Sequence, residues 1–240
     1  MPAKTASPLA PIARNTMQEQ VYSQLRESLI DGRFKPGQTL TIRDLAQQLG
    51  TSVMPVREAL HKLTVEQVLD MTAGRSVKVP ALSAAKFQEI CEARILLEGE
   101  LAALAAQRAD ADDITRIERA NDELASARVS RDPSLSLKRN REFHFAVYAA
   151  ARHNTMFELV EPLWVRCGPS LLALFEELGS DQIKRNASKR HQATLEGILA
   201  RRPADAQRGI VEDIRATSER YRDHLQKMRK SGKRSVFDPG

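Results

Sequence analysis

The sequence predicts a mainly α protein in two parts: three short helices closed by a β-hairpin, then an antiparallel all-helical bundle. Three observations predict it. From Met17 onward apolar residues recur every three or four positions, as on amphipathic helices. Extended runs are confined to residues 68–72 and 76–80. Between 83 and 230 there is almost no strand signal, and the helical runs are separated by short breaks.

The first helix carries Val21, Leu25 and Leu29 on one stripe, with Tyr22 beside it, and stops at Asp31-Gly32. Lys35-Pro36-Gly37 forces a turn. Thr41 opens a second helix, with Asp44 three residues on in an approximate capping box. Leu45 and Leu49 point inward, and Gly50 ends it. Thr51 or Ser52 caps a third helix with Val56, Leu60 and Leu63 on one stripe. Pro55 falls in its first turn, where a missing N–H costs little. The runs Val68–Thr72 and Ser76–Pro80 flank Ala73-Gly74-Arg75 as a hairpin. Helix, helix, tight turn, helix and hairpin is the order of a winged helix-turn-helix.

Past Pro80 the pattern is helical throughout. Ser83 to Ala109 carries Leu97, Leu101 and Leu104 on one side. Asp110 to Asp113 caps the next run, with Ile114, Ile117 and Leu124. Asp132-Pro133 opens a third that continues to Arg152. Asn154 opens a fourth, which Pro162 and Gly168-Pro169 are expected to kink or break. Ser180-Asp181 opens a fifth, ending near Arg201-Arg202-Pro203, and the sixth spans Asp205 to about Arg229. The expected organisation is a disordered arm (1–15), a winged helix-turn-helix (16–80), a helical effector-binding and dimerisation domain (81–230) and a loose tail (231–240).

Composition narrows the function. Of 240 residues, 37 are Lys or Arg and 31 Asp or Glu, a formal charge of +6 that permits duplex DNA. Residues 1–80 hold 10 Lys and Arg against 7 Asp and Glu, so the positive excess is densest there. Aromatics are only 5%, which argues against a ring platform for single strands. No run reaches the roughly 18 apolar residues of a membrane span, and residues 1–11 lack a signal-peptide core, so a cytoplasmic location is expected. Cys91 and Cys167 fit no zinc spacing and read as reduced core thiols.

The third helix is the element expected to read DNA. A helix held proud by a tight turn enters the major groove, its N-terminal residues meeting base edges. Those residues are Ser52, Val53, Met54 and Arg57, and Arg57 has the fork that suits guanine. Arg43 is placed to hold phosphate, and Gly74-Arg75 at the hairpin tip to enter the minor groove.

Residues Tyr22–Pro80 resemble the winged helix of the GntR family of bacterial transcription regulators. The resemblance rests on Gly32-Arg-Phe-Lys-Pro-Gly37, Leu45-Ala46, Leu49-Gly50 and, above all, Pro55-Val-Arg-Glu-Ala-Leu60 followed by Leu63. Two departures stand out: Val53-Met54 replaces the family's Arg-Thr before the proline, and Gln67 replaces a common Gly. Residues 86–225 resemble the ligand-binding domain of the FadR-like (FCD) branch, through Glu92-Ala-Arg94-Ile-Leu-Leu-Glu98 and Asn140-Arg-Glu-Phe-His144. The resemblance implies a metal site. His191 falls where the pattern repeats a His, and Asp213 stands in for the third.

The chemistry of those residues is consistent with a cation. Asn140 and His144 lie four apart on one helical face, and His191 and Asp213 fall on the fifth and sixth helices. Two imidazoles, a carboxylate and an amide oxygen suit zinc first, with nickel, iron and manganese as alternatives. Arg94 is expected to grip a small carboxylated effector, and His153 and His224 are read as surface residues. The reading is a homodimeric, ligand-responsive regulator, a repressor, on a pseudo-palindromic operator, with a small organic or sugar acid as effector. Two alternatives remain: a metal-dependent enzyme using the two-His-one-carboxylate set, and an architectural DNA binder without a ligand.

Overall fold

A computed structural model describes residues 17–72, 76–130, 132–177 and 181–230. The expected arm, the hairpin tip with Gly74 and Arg75, and the expected tail lie outside the described residues. The N-terminal elements are α1 (Met17–Ile30), β1 (Thr39–Thr41), α2 (Ile42–Gln48), α3 (Val53–Val65), β2 (Asp70–Met71) and β3 (Ser76–Lys78). The stripes on α1 and α3 meet as expected. Val21, Leu25, Leu29, Val56, Leu60 and Leu63 share one core with Val68, Leu69, Val77 and Val79.

The strand β1 has no counterpart in the sequence reading. Three residues carry no periodic signal; Thr39–Thr41 is extended because it pairs antiparallel with β3, Leu40 opposite Val77. The sheet order is β1-β3-β2, with only Asp70 and Met71 of the expected first run in β2.

The helix boundaries follow their caps. Thr41 accepts a hydrogen bond from the Asp44 amide at 3.2 Å. At the end of α3 the Gln67 amide bonds Thr64 and the Val68 amide bonds Leu63, a Schellman closure. That closure needs a left-handed residue, and Gln67 has φ +56°. The family's glycine would take this conformation without strain.

The bundle is α4 (Ala84–Arg108), α5 (Ala111–Val129), α6 (Pro133–Ala150), α7 (Asn154–Glu177), α8 (Asp181–Leu199) and α9 (Pro203–Lys230). Asp110 and Asp113 form the capping box of α5. Of the kink or break expected at Pro162 and Gly168-Pro169, the break does not occur: both prolines lie inside a continuous α7. Each removes one backbone hydrogen bond, but α7 is packed from both sides. Val160, Trp164, Cys167 and Leu171 enter the bundle core, while Val165 enters the N-terminal core. His224 is likewise corrected. The helix α9 runs six residues beyond it, so the ring is buried and stacks on Tyr221 at 6.2 Å. His153 is partly buried at the start of α7, its Nδ1 accepting the Met156 amide.

The two cores meet along α1 and α7 at backbone distance. A Cβ on Gly168 would sit 2.2 Å from the Leu29 carbonyl oxygen, and one on Gly32 would sit 2.4 Å from Leu172 Cβ. Arg26 pairs with Glu161 at 3.3 Å, and Arg141 with Asp31 at 3.2 Å.

Two stability predictions follow from this geometry. Gln67→Gly relieves left-handed strain and is expected to stabilise the protein by about 1 kcal/mol in urea unfolding. Gly168→Ala forces α1 and α7 apart against backbone atoms and is expected to cost about 1–3 kcal/mol in the same measurement.

Candidate functional site

The N-terminal end of α3 is open. Ser52 caps the helix in extended conformation but spends no side-chain hydrogen bond on the cap. Arg43, Ser52 and Arg57 are exposed, as are the apolar Val53 (41%) and Met54 (52%). Neither Arg43 nor Arg57 is in an ion pair among the described residues. His61, which the sequence reading passed over, lies one turn beyond Arg57 and is also exposed. The opposite face of α3 is held by the core and by Tyr22, whose ring carries Lys62 Nζ at 3.8 Å and whose hydroxyl donates to Glu66.

Inside the bundle, His144 from α6, His191 from α8 and Asp213 from α9 converge. Their ligand atoms lie within 4.8 Å of one another, and all three residues are buried. Asp213 Oδ2 stands 3.3 Å from His191 Nε2 and 3.6 Å from His144 Nε2. Ligands bonded at roughly 2.0–2.2 Å to a tetrahedral ion stand roughly 3.3–3.6 Å apart, so the spacing and the donor set fit a divalent cation. Asn140, one turn before His144, is buried on the same helix.

The far side of each imidazole is engaged. His144 Nδ1 meets Tyr148 Oη at 2.8 Å. Tyr148 donates its own proton to Glu98 Oε2, so its oxygen accepts from His144 Nδ1–H. His191 Nδ1 meets Arg128 Nη2 at 2.9 Å, and Arg128 Nη1 donates to Ser188 at 2.7 Å. Arg190 Nε donates to Asp213 Oδ1 at 3.1 Å.

These contacts set the charges. Burial, opposed by Asp213, pushes His191 down to about 4. Burial alone would raise Asp213, but His191 and His144 outweigh it and hold the carboxyl well below its usual range. Burial, with repulsion from Arg190 and Arg220 against attraction from Asp213, pushes Arg128 down to about 10. Burial and then Arg190 lower Arg220 as well. Arg190 therefore bonds Asp213 directly, while Arg128 and Arg220 feel the same carboxylate at longer range, Arg220 together with Glu219. The sequence reading missed Arg128, Arg190 and Arg220, since nothing local separates them from the chain's other basic residues.

Arg94 faces inward rather than toward an open site. Its Nε and Nη2 donate to Glu98 at 2.6 and 3.2 Å, and its guanidinium lies 4.2 Å from the Trp164 ring. Glu98, also missed, is fully buried and further accepts Trp164 Nε1–H at 3.1 Å. Cys91 and Cys167 are free and buried, and burial pushes the Cys167 thiol up to about 12.

His191 makes stability depend on pH. The unfolded ring protonates near 6.5 and the folded ring only near 4. Stability is thus full above about pH 6.5 and is lost as the pH falls toward about 4, by on the order of 3 kcal/mol. Asp213, depressed, adds loss in the same direction below its unfolded value of 3.8. The urea midpoint of chelator-treated protein is expected to fall across that window, and His191→Gln to flatten the fall.

Comparison with known proteins agrees with this geometry. The family model described as bacterial regulatory proteins, gntR family, matches residues 17–79, and the FCD domain model matches residues 89–216. The chain is 31% identical to the HTH-type transcriptional regulator McbR of Escherichia coli K12 over 172 residues, covering 72% of this chain and 78% of that protein. It is 26% identical to the Glc operon transcriptional activator of the same strain over 230 residues, covering 88% and 91%. The solved structure of E. coli McbR/YncC superposes with a TM-score of 0.83 at 27% identity, covering 88% of this chain and all of that one. Among the described residues no helix is long and apolar enough to cross a membrane. A chain so matched at both ends belongs to the GntR family, in its FCD branch: it is a DNA-binding transcription regulator, not an enzyme.

Proposed function

We propose that the chain is a homodimeric regulator whose affinity for a pseudo-palindromic operator is set by a small carboxylate bound beside a divalent cation in the helical domain. The observation that carries this reading is the arrangement at Asp213: two imidazoles on Oδ2, the Arg190 guanidinium on Oδ1, and the Arg128 guanidinium on the far side of His191. A cation held by the imidazoles and Asp213, with guanidiniums beside it, suits a carboxylate ligand, and an organic or sugar acid supplies one. Effector grip is assigned to Arg128, Arg190 and Arg220 rather than to Arg94, whose fork is taken by Glu98. When bound, a cation at His144, His191 and Asp213, with Asn140 nearby, would act as a Lewis acid for the effector's oxygens. Zinc is the first candidate from the donor set.

On the DNA side, Arg57 reads a base edge, Ser52 and Arg43 hold phosphate, and the exposed Val53 and Met54 pack on thymine methyl groups. Two copies would place two α3 helices on half-sites one turn apart, roughly 34–36 Å. Named relatives include both an activator, of the Glc operon, and the repressor GlaR of E. coli, so the proposal is a change in operator affinity of either sign.

The test starts from DNA that the full chain selects out of a random duplex library. Arg57→Ala is expected to lose about 10- to 100-fold in affinity for that DNA while staying dimeric. Acids that raise the melting temperature of the wild type are then added to the complex. The expected result is that at least one shifts operator affinity and that Arg190→Ala abolishes the shift. Sequence-specific binding unchanged in Arg57→Ala, or no acid that alters it, would overturn the respective half.

A further inference from the structure

His144 is held from behind by a chain of two residues outside the candidate cation cluster. Glu98 is fully buried, so its carboxylate depends on protein donors. Arg94 gives it two, at 2.6 and 3.2 Å, Trp164 a third at 3.1 Å, and the Tyr148 hydroxyl the fourth. An ionised carboxylate only accepts, so the proton between Tyr148 and Glu98 is the tyrosine's. The Tyr148 oxygen then has only lone pairs for His144 Nδ1, 2.8 Å away, and the imidazole proton sits on Nδ1. The Nε2 lone pair of the same ring faces Asp213 Oδ2 at 3.6 Å. Two acceptors opposed at that distance repel each other, and a cation between them turns the repulsion into attraction.

We propose that Tyr148 and Glu98 are positioning residues of the cation site: Glu98 fixes the tyrosine proton, Tyr148 fixes the ring proton, and the Nε2 lone pair of His144 is thereby kept ready for a divalent cation. This rests on the cation-site reading above. The alternative state of the ring is specific. The polar atoms beside its two nitrogens are Tyr148 Oη and Asp213 Oδ2. A ring deprived of the first puts its proton on Nε2, toward the second, and closes the coordination position. Glu98 makes no hydrogen bond to the cluster, so its part is played through the tyrosine.

Zn2+ affinity is measured by competition against a chelating dye on full-length wild type, Tyr148→Phe and Glu98→Gln. Tyr148→Phe keeps the ring and removes the acceptor, and is expected to bind Zn2+ about 10- to 100-fold more weakly. In Glu98→Gln the amide oxygen keeps the place of Oε1, which receives both Arg94 Nε and Trp164, and the amide NH2 faces Tyr148. The tyrosine then accepts from the amide and gives its proton to His144 Nδ1, so this variant is expected to weaken Zn2+ as well. In 15N spectra without metal, His144 is expected as Nδ1–H in the wild type and as Nε2–H in both variants, a change that a packing role alone would not produce. An Nε2–H ring in the metal-free wild type overturns the proposal. A wild type that binds Zn2+ no more tightly than Tyr148→Phe overturns the proposal alone; a wild type that takes up no stoichiometric Zn2+ overturns the cation-site reading with it. Wild-type affinity and tautomer in Glu98→Gln remove Glu98 from the chain. Should Glu98→Gln fail to fold, with Arg94 left facing a neutral partner, Tyr148→Phe and the wild-type spectrum decide.

Discussion

Glu98 fixes the wiring of the bundle interior. A carboxylate with no exposed surface is held only if donors replace the water it gave up, a cost of several kcal/mol otherwise. It has four: two from Arg94, one from Trp164 and one from Tyr148. Because Tyr148 spends its proton there, its oxygen is left to accept, and His144 must present Nδ1–H to it. A carboxylate on α4 thereby dictates which nitrogen of an imidazole on α6 faces the cluster. Burial and the Glu98 charge push Tyr148 well above its ordinary value, which keeps that proton in place. The same logic acts from the other side, where Arg128 on α5 dictates the state of His191 on α8. All six bundle helices supply at least one member of this chain of contacts.

That distribution explains what the sequence disclosed. His144 shared a helical face with Asn140 by spacing alone, and His191 and Asp213 fell mid-helix among apolar neighbours, so the convergence of His144, His191 and Asp213 was legible once a bundle was expected. The reading elements of the winged helix were legible because caps and glycines are local: Thr41 with Asp44, Gly32 and Gly50. The strand β1 was not, because its three residues become extended only by pairing with β3. Arg94 and Glu98 are four apart and recognisable as a helix pair, but the sequence cannot say which side of α4 faces the interior at that turn. Arg128, Arg190 and Arg220 come from three helices, and only packing distinguishes them from the rest of 37 basic residues. The break expected in α7 and the helix end expected near His224 did not occur, because α7 is packed into both cores and α9 continues past His224 to Lys230.

The departure at Val53-Met54 has a consequence for recognition. Losing an Arg and a Thr from the head of α3 removes donors from the point nearest the bases. The two residues present are apolar and exposed, 41% and 52%, beside Arg57, which is in no ion pair among the described residues. Exposed apolar side chains at that position gain nothing in water, and a thymine methyl is the apolar feature that the major groove offers. On the proposed reading, an operator richer in T·A at the bases under Val53 and Met54 is the physical counterpart of the substitution.

How the proposed anion at Asp213 would act on α3 is a question about α7. A ligand moves an equilibrium only through different affinity for its two states, so some element must contact both the site and the head. Helix α7 does. Its Trp164 donates to Glu98 and lies against Arg94 and the His144 ring, at 5.2 Å for the latter. One residue on, Val165 is part of the N-terminal core, and Gly168 meets α1 at backbone distance. A side chain at Gly168 would cushion that contact; glycine leaves none, so a displacement of α7 is passed to α1 as a displacement of main chain against main chain. The helix α1 in turn packs on α3 through Val21, Leu25 and Leu29. On the proposed reading, the path from effector to base edge therefore consists of two helix contacts, α7 on α1 and α1 on α3.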